Sequence, residues 1–394
     1  MKKNFNTQIL STAALTLGIV FSVLCIVAPV SCRLTEEGIE IFPADTKAPV
    51  VEEFSVTGSN KIFISCSEKI VLDEISVLEY KEENASLVEA GESWDEGESF
   101  AVANVISYSE SMKSAEIELS QATEVGKSYI FSGIVYDITG NSLEFSKKFS
   151  GYNENPARLL FNEVRSTYNK QKGQTEFVEF YVLKGGNTYG LEMVSGANGE
   201  SRKYSFPAIE VKGGELITLH GRTIAGSEDI ALDELEEDLT LSGTCESSDT
   251  ARDLWKSGDD KILSQTDVLV IRDSVSLEIK DALLMSASGK SSWSKKLMSE
   301  FAEKACELGI WQGGSLPENA VCTDGTTSSL LRSISRQNTA QLALSCSDSA
   351  LLPEYIQTSP DDWIVTEKML VDKVTVSGAT PGYENSTNQL VVNN

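Results

Sequence analysis

Apolar and polar residues alternate along much of this chain with a period of two, the spacing of a half-buried strand. In residues 61–66 (KIFISC), Ile62, Ile64 and Cys66 alternate with other residues, and residues 115–119 (AEIEL) alternate cleanly. Val50 and Val51 follow Pro49. Residues 129–136 are rich in β-formers and run into Asp137-Ile138-Thr139-Gly140-Asn141, a turn segment. Leu143, Phe145 and Phe149 continue the pattern. Short strands separated by turn signals over residues 47–151 predict a β-sandwich.

A hinge, Tyr152-Asn153-Glu154-Asn155-Pro156, precedes a second series of strands at 159–164, 176–182, 204–209, 215–220 and 267–272. Phe177 and Val178 are adjacent and point to opposite faces, which predicts a strand buried on both sides. One stretch changes period. Within residues 293–309 (WSKKLMSEFAEKACELG), Leu297, Phe301, Ala305 and Leu308 form a helical stripe, and Gly309 fits a C-terminal cap. This helix is expected to pack on a sandwich face; the other reading is a partner-binding helix. Trp255, Trp293, Trp311 and Trp363 are expected anchors of a core or interface.

Three segments of the first region, ADTKAPVV at 44–51, SCSEKI at 65–70 and YIFSGIVYDITGN at 129–141, resemble the bacterial Ig-like domains of surface and S-layer-type proteins. That resemblance implies a spacer or adhesion module over residues 47–151. The second region resembles the lamin-tail domain, an Ig-like β-sandwich. The likeness rests on the order NEV (162–164), EFVEFY (176–181), GGELITLHG (213–221), DVLVIRD (267–273), SISR (333–336), DDWIVT (361–366) and TPGYEN (380–385). It implies a lamin-tail-like domain over 156–386. Two inserts depart from the compact family core, at 222–254 and 287–330. The expected fold class is therefore mostly β, two Ig-like sandwiches, the second with a helical insert.

The N-terminus sets the compartment. Lys2 and Lys3, an apolar run from Ile9 to Val30, and Ser31-Cys32 form a bacterial export signal with a lipoprotein-type cysteine. The expectation is a signal peptide over 1–31, lipid attachment at Cys32 and a tether over 32–46. Pro29 stands where lipoprotein signals usually carry Leu, and the apolar run is long. An ordinary cleaved signal and a retained anchor are the alternatives. Cys25 reads as signal filler.

Removing residues 1–31 takes out Lys2 and Lys3 and no acid, so the net charge of −26 becomes −28. Such a surface repels phosphate backbones, making nucleic acid an unlikely partner. It also repels anionic lipid, so the membrane partner would be reached through the N-terminal lipid. Cys66, Cys245, Cys306, Cys322 and Cys346 are odd in number and form no C-x-x-C pair, which argues against zinc and a disulfide scaffold. One bridge among the last four stays open; small buried apolar residues are the commoner reading.

No catalytic constellation emerges. The single histidine, His220, ends a strand beside Gly221 and is expected to be a hydrogen-bonded surface residue. Gly185-Gly186 and Gly213-Gly214 fit turns. The cluster Asp229, Asp233, Glu234, Glu236, Glu237 and Asp238 reads as a solvated loop or a loose cation site. Glu176/Glu179 and Asp361/Asp362 are the carboxylate pairs available for hydrolysis. Asn84-Ala85-Ser86 and Asn385-Ser386-Thr387 match glycosylation acceptors, which an exported bacterial protein makes moot. No cofactor and no metal are expected. The chain thus reads as a non-enzymatic envelope lipoprotein, a spacer plus an interaction module for an envelope or host protein. An envelope hydrolase using acidic residues and a cation-dependent adhesin are the alternatives.

Overall fold

The structure, a computed structural model, describes residues 30–35, 38–43, 46–80, 99–346 and 352–391. Residues 1–29 of the stretch expected to be a signal peptide (1–31), with Lys2, Lys3 and Cys25, lie outside the described residues, as does the Asn84-Ala85-Ser86 motif. The protein is mostly β and divides into two compact units, Met1–Tyr152 and Asn153–Asn394.

Strands β1 (Val30–Thr35) and β2 (Gly38–Pro43) pair antiparallel, β1 straddling the boundary expected between signal peptide and tether, and Cys32 sits opposite Ile41. The rest of the first unit is built from β3 (Val51–Gly58), β4 (Lys61–Cys66), β5 (Ile70–Glu79), β6 (Ser99–Tyr108), β7 (Ser114–Leu119), β8 (Ser128–Asp137) and β9 (Ser142–Ser150). They hydrogen-bond in the order β3-β4-β7-β6-β5-β8-β9, all antiparallel. The alternating residues of the sequence point inward: Ile62, Ile64, Ile117, Phe131 and Val135 are fully buried. The Phe54 ring on β3 lies 5.6 Å from Phe131 and 5.9 Å from Phe149, so the two ends of the strand order face each other across this core. The turn between β8 and β9 is closed by Asp137, whose carboxylate accepts from the amides of Thr139 and Asn141, both at 2.8 Å.

The second unit comprises β10 (Arg158–Arg165), β11 (Phe177–Lys184), β12 (Gly186–Asn187), β13 (Leu191–Ser195), β14 (Tyr204–Ser205), β15 (Glu210–Val211), β16 (Leu216–His220), β17 (Arg252–Trp255), β18 (Asp267–Asp273), β19 (Ile279–Ser286), β20 (Val321–Cys322), β21 (Ile334–Arg336), β22 (Trp363–Val365), β23 (Met369–Val371) and β24 (Val374–Val376). Six strands form one sheet in the order β17-β16-β11-β10-β21-β22, and five form a second in the order β14-β13-β18-β19-β20. Phe161, Phe180 and Ile217 from the first meet Met193, Val270 and Leu283 from the second in one core, every one of them fully buried. Burying each such side chain stabilises the fold by roughly 1.5–3 kcal/mol. The two sheets therefore pack as a sandwich. Strand β11 lies inside the six-stranded sheet, as the adjacent Phe177 and Val178 predict, and both are fully buried.

The helix α1 (Lys296–Glu307) starts three residues later than the pattern predicts. It buries Met298, Phe301, Ala302 and Ala305, while Leu297 and Leu308 are only partly covered, so the buried stripe is rotated from the expected one. Gly196 permits its close approach: a methyl there would lie 2.9 Å from the Met298 Cα. A second helix, α2 (Thr339–Ser345), follows β21. The predicted strand at 204–209 is only two residues long, and β13, β17 and β19 have no counterpart in the sequence pattern. In β19 the buried run Ala282–Met285 does not alternate, because both of its faces are covered.

Candidate functional site

Strand β10 bulges between Phe161 and Glu163, where two of its residues oppose one on β11. The Phe161 amide, freed from the ladder, donates to Asp281 on β19 at 2.8 Å, and the Phe161 carbonyl accepts from Arg336 on β21 at 3.2 Å. The bulge turns Asn162 into a hub. Its side chain donates to Glu179 at 2.7 Å and accepts from Thr339 at 2.7 Å and from Asn385 at 3.0 Å.

Beyond the bulge Glu163 and Glu179 are direct cross-strand partners, and both are fully buried. Like charges so placed repel, and burial alone favours the protonated form. Burial pushes the Glu163 carboxyl up, and burial followed by the Glu163 charge pushes Glu179 well up. Donors offset this. Glu163 accepts from the Thr380 amide at 3.1 Å, the Ser335 hydroxyl at 3.2 Å and the Ser333 hydroxyl. Glu179 accepts from the Gly382 amide. The motifs NEV, EFVEFY, SISR and TPGYEN thus converge on one buried polar cluster. Its chemistry is that of a pin: carboxylates closed off from solvent hold the 380–385 turn against the sheet.

His220 is a correction. The residue expected at the surface is fully buried, its Nε2 2.7 Å from Asp253 on β17 and its Nδ1 3.3 Å from the Thr175 hydroxyl. The Trp255 ring stacks on the imidazole at 3.9 Å. The Thr-His-Asp order has the connectivity of a proton relay, but Thr175 is also fully buried and no substrate can reach it. The cause is the insert: 222–254 returns to the sheet as β17, parallel to β16, and covers the strand end.

The acidic cluster in that insert largely fits the solvated-loop reading: Asp229, Asp233, Glu236, Glu237 and Asp238 are exposed, and Glu234 is the exception, fully buried. Asp233 accepts from the Trp255 amide at 2.6 Å, and Glu234 from the Asp253 amide at 2.7 Å, so two carboxylates cap the outer edge of β17. Glu237 pairs with Lys212 at the surface and Asp238 bonds Thr240. Among the described residues no group of three or more His, Cys, Asp or Glu is placed to hold a metal ion.

The proposed carboxylate pairs do not form acid–base couples. Glu176 makes a two-pronged bond to Arg222, at 2.6 and 2.7 Å, away from the Glu163/Glu179 pair. Asp362 caps a short helical turn through the Ser359 amide at 2.7 Å. The five described cysteines from Cys66 on are free thiols. Cys66 and Cys346 are buried, Cys306 is partly buried, and Cys245 and Cys322 are exposed, so the buried reading holds for only two. Burial raises the Cys66 thiol to about 11. Among the described residues no helix is long and apolar enough to cross a membrane. Sequence reasoning missed the hub itself; its signal was a carboxylate set among apolar neighbours in each of two strands, Phe161-Asn162-Glu163-Val164 and Val178-Glu179-Phe180.

Residues 157–365 match the model of the TP_1001_2nd family, described as protein second domain. The chain belongs to this family. The TP_1001_2nd match takes in β10, β11, β16 and β21, and it ends before the 380–385 turn that the Glu163/Glu179 pair holds. A 187-residue stretch is 32% identical to an uncharacterized protein of Treponema pallidum (strain Nichols), covering 45% of this chain and 46% of that protein. The chain thus spans less than half the length of that curated relative. Among solved structures, the N-terminal part of the bacterial S-layer protein SbsC overlaps 46% of this chain and 41% of its own, at 18% identity and a TM-score of 0.22. A DUF4876 family protein from Bacteroides thetaiotaomicron VPI-5482 overlaps 51% and 62%, at 12% identity and a TM-score of 0.18. Likenesses this slight carry no argument about fold or role.

Proposed function

We propose that this protein is a non-catalytic, lipid-anchored envelope protein whose first unit is a spacer and whose second unit is an interaction module. The burial of its reactive groups supports this most. Glu163, Glu176, Glu179 and His220 are each fully buried and hydrogen-bonded into the sandwich, where they brace strands and turns and cannot touch a substrate. The anchor rests on the export signal and Cys32. The net charge of −26 favours a protein partner of the envelope or host over nucleic acid.

Metabolic labelling with palmitate tests the anchor. The label is expected on the wild type and absent from Cys32→Ala, which should move to the soluble fraction; a labelled Cys32→Ala protein rules out attachment at this residue. Purified protein is expected to be inactive on chromogenic ester and glycoside panels. Turnover abolished by Glu179→Gln would establish the hydrolase instead. Added calcium is expected to leave the melting curve unchanged, and a clear upward shift would favour the adhesin.

A further inference from the structure

Two Lys-Gly-Gly sequences, Lys184-Gly185-Gly186 and Lys212-Gly213-Gly214, meet in the second unit, where Gly186 on β12 sits opposite Val211 on β15. Their backbones touch. A methyl on Gly185 would lie 2.8 Å from the Val211 carbonyl oxygen and 3.0 Å from the Gly213 nitrogen. Beside this double turn is a cavity of about 330 Å³. It is lined by the polar Lys184 and Tyr181, by backbone of the double turn, and by the apolar Leu183, Ala343 on α2, Cys346 and Leu352. Among the described residues neither the Lys184 ammonium nor the Tyr181 hydroxyl has a hydrogen-bond or ion-pair partner. Several described lysines lack a carboxylate partner, and Lys184 is the one that lines this cavity.

We propose that this cavity binds a small amphipathic anion, its carboxylate or phosphate head on Lys184 and Tyr181 and a short aliphatic tail along Leu183, Ala343 and Leu352. The head would supply the acceptor that an ammonium and a phenol need when water is displaced. The tail would remove apolar wall from water, and the volume falls at the small end of ordinary ligand sites. The proposal extends the interaction-module reading with a ligand class, and does not depend on the anchor at Cys32.

Isothermal titration of the full chain with octanoate and with octyl phosphate tests it, with inorganic phosphate and octanol as the head-only and tail-only arms. One saturable site is expected for at least one of the two amphiphiles, and the better of them identifies the head. Binding should weaken about tenfold or more for head or tail alone, a loss of about 1.4 kcal/mol or more. Lys184→Ala should weaken it similarly, Lys184→Arg should restore it, and Lys172→Ala should leave it unchanged. Ala343→Trp should abolish binding by filling the cavity, with an unchanged melting curve reporting an intact fold. Absence of saturable binding to either amphiphile overturns the proposal. So does equal affinity for octanol and octanoate, or undiminished binding by Lys184→Ala. The palmitate experiment reads a different residue, so loss of one reading leaves the other standing.

Discussion

Glu179 on β11 accepts a 2.5 Å hydrogen bond from the amide of Gly382, 203 residues further along the chain. With Thr380 on Glu163, it makes the 380–385 turn a source of backbone donors to a buried carboxylate pair. Truncation after residue 376 should therefore destabilise the second unit, since each buried polar group left unpartnered costs about 1–3 kcal/mol. Urea unfolding checks this: the midpoint should fall sharply for that truncation and hardly at all when only residues 391–394 are removed. An unchanged midpoint in the longer truncation would show that the turn holds nothing.

The buried acids give the second unit a defined pH response. Burial raises Asp267 from the usual carboxylate value to about 6, against donors from Ser195, Ala197, Ser264 and Val268. A carboxyl that is harder to ionise when folded contributes stability that is complete below its unfolded value. That contribution is lost as pH rises through the folded value. For Asp267 the window runs from 3.8 to about 6. Glu163 and Glu179, shifted in the same direction, add to the loss as pH rises. In the first unit the sign is opposite. Hydrogen bonds from Asn141 and Thr139 outweigh burial and hold Asp137 down at about 2, so its contribution disappears as pH falls from 3.8 towards 2. Calorimetric scans should show Asp267→Asn flattening the upper slope and Asp137→Asn the lower one. No change in either slope would remove both assignments.

Replacing Gly196 by Ala should loosen the helix rather than the sheets. The added methyl meets the Met298 backbone at 2.9 Å, so α1 must shift outward, an overpacking cost of about 1–3 kcal/mol. Hydrogen exchange should quicken for α1 amides and stay slow in β11. Equal quickening in both would mean that helix and sandwich unfold as one.

His220→Ala should cost more than an ordinary surface substitution. It removes the 2.7 Å partner of Asp253 and the ring stacked on Trp255, and leaves the Asp253 carboxylate in a buried site. A loss of about 1–3 kcal/mol is expected, since Asp253 then keeps only the Ser248 amide, at 3.1 Å, as a side-chain donor. A second substitution, Asp253→Asn, made on the alanine background should then cost far less than it does in the wild type. Additive effects in that double-mutant cycle would argue against direct coupling of the pair.

Period-two alternation is a local property, and it placed β4, β7 and β8 to within a residue or two because one face of each strand is wet and the other dry. Where both faces are covered the alternation vanishes, and β19 escaped notice. The four-residue β17 was hidden for another reason: its apolar residues are few and its neighbours acidic, and pairing with β16 is what makes it a strand. The motifs that meet at the β10 bulge were visible in order, and their meeting was not.

Patterning alone was enough to give a largely β chain with one strong amphipathic helix and a boundary near 152–156, and composition gave its net charge of −26. Three-dimensional packing decided which charges are buried. His220 looked exposed until β17 closed over it, Glu234 alone of the insert's six clustered acids became buried, and Glu163 and Glu179 became a pair through register. The reason is physical: hydrophobic periodicity reports the environment of a segment through its own neighbours, whereas desolvation and hydrogen bonding of a charge depend on groups up to hundreds of residues away.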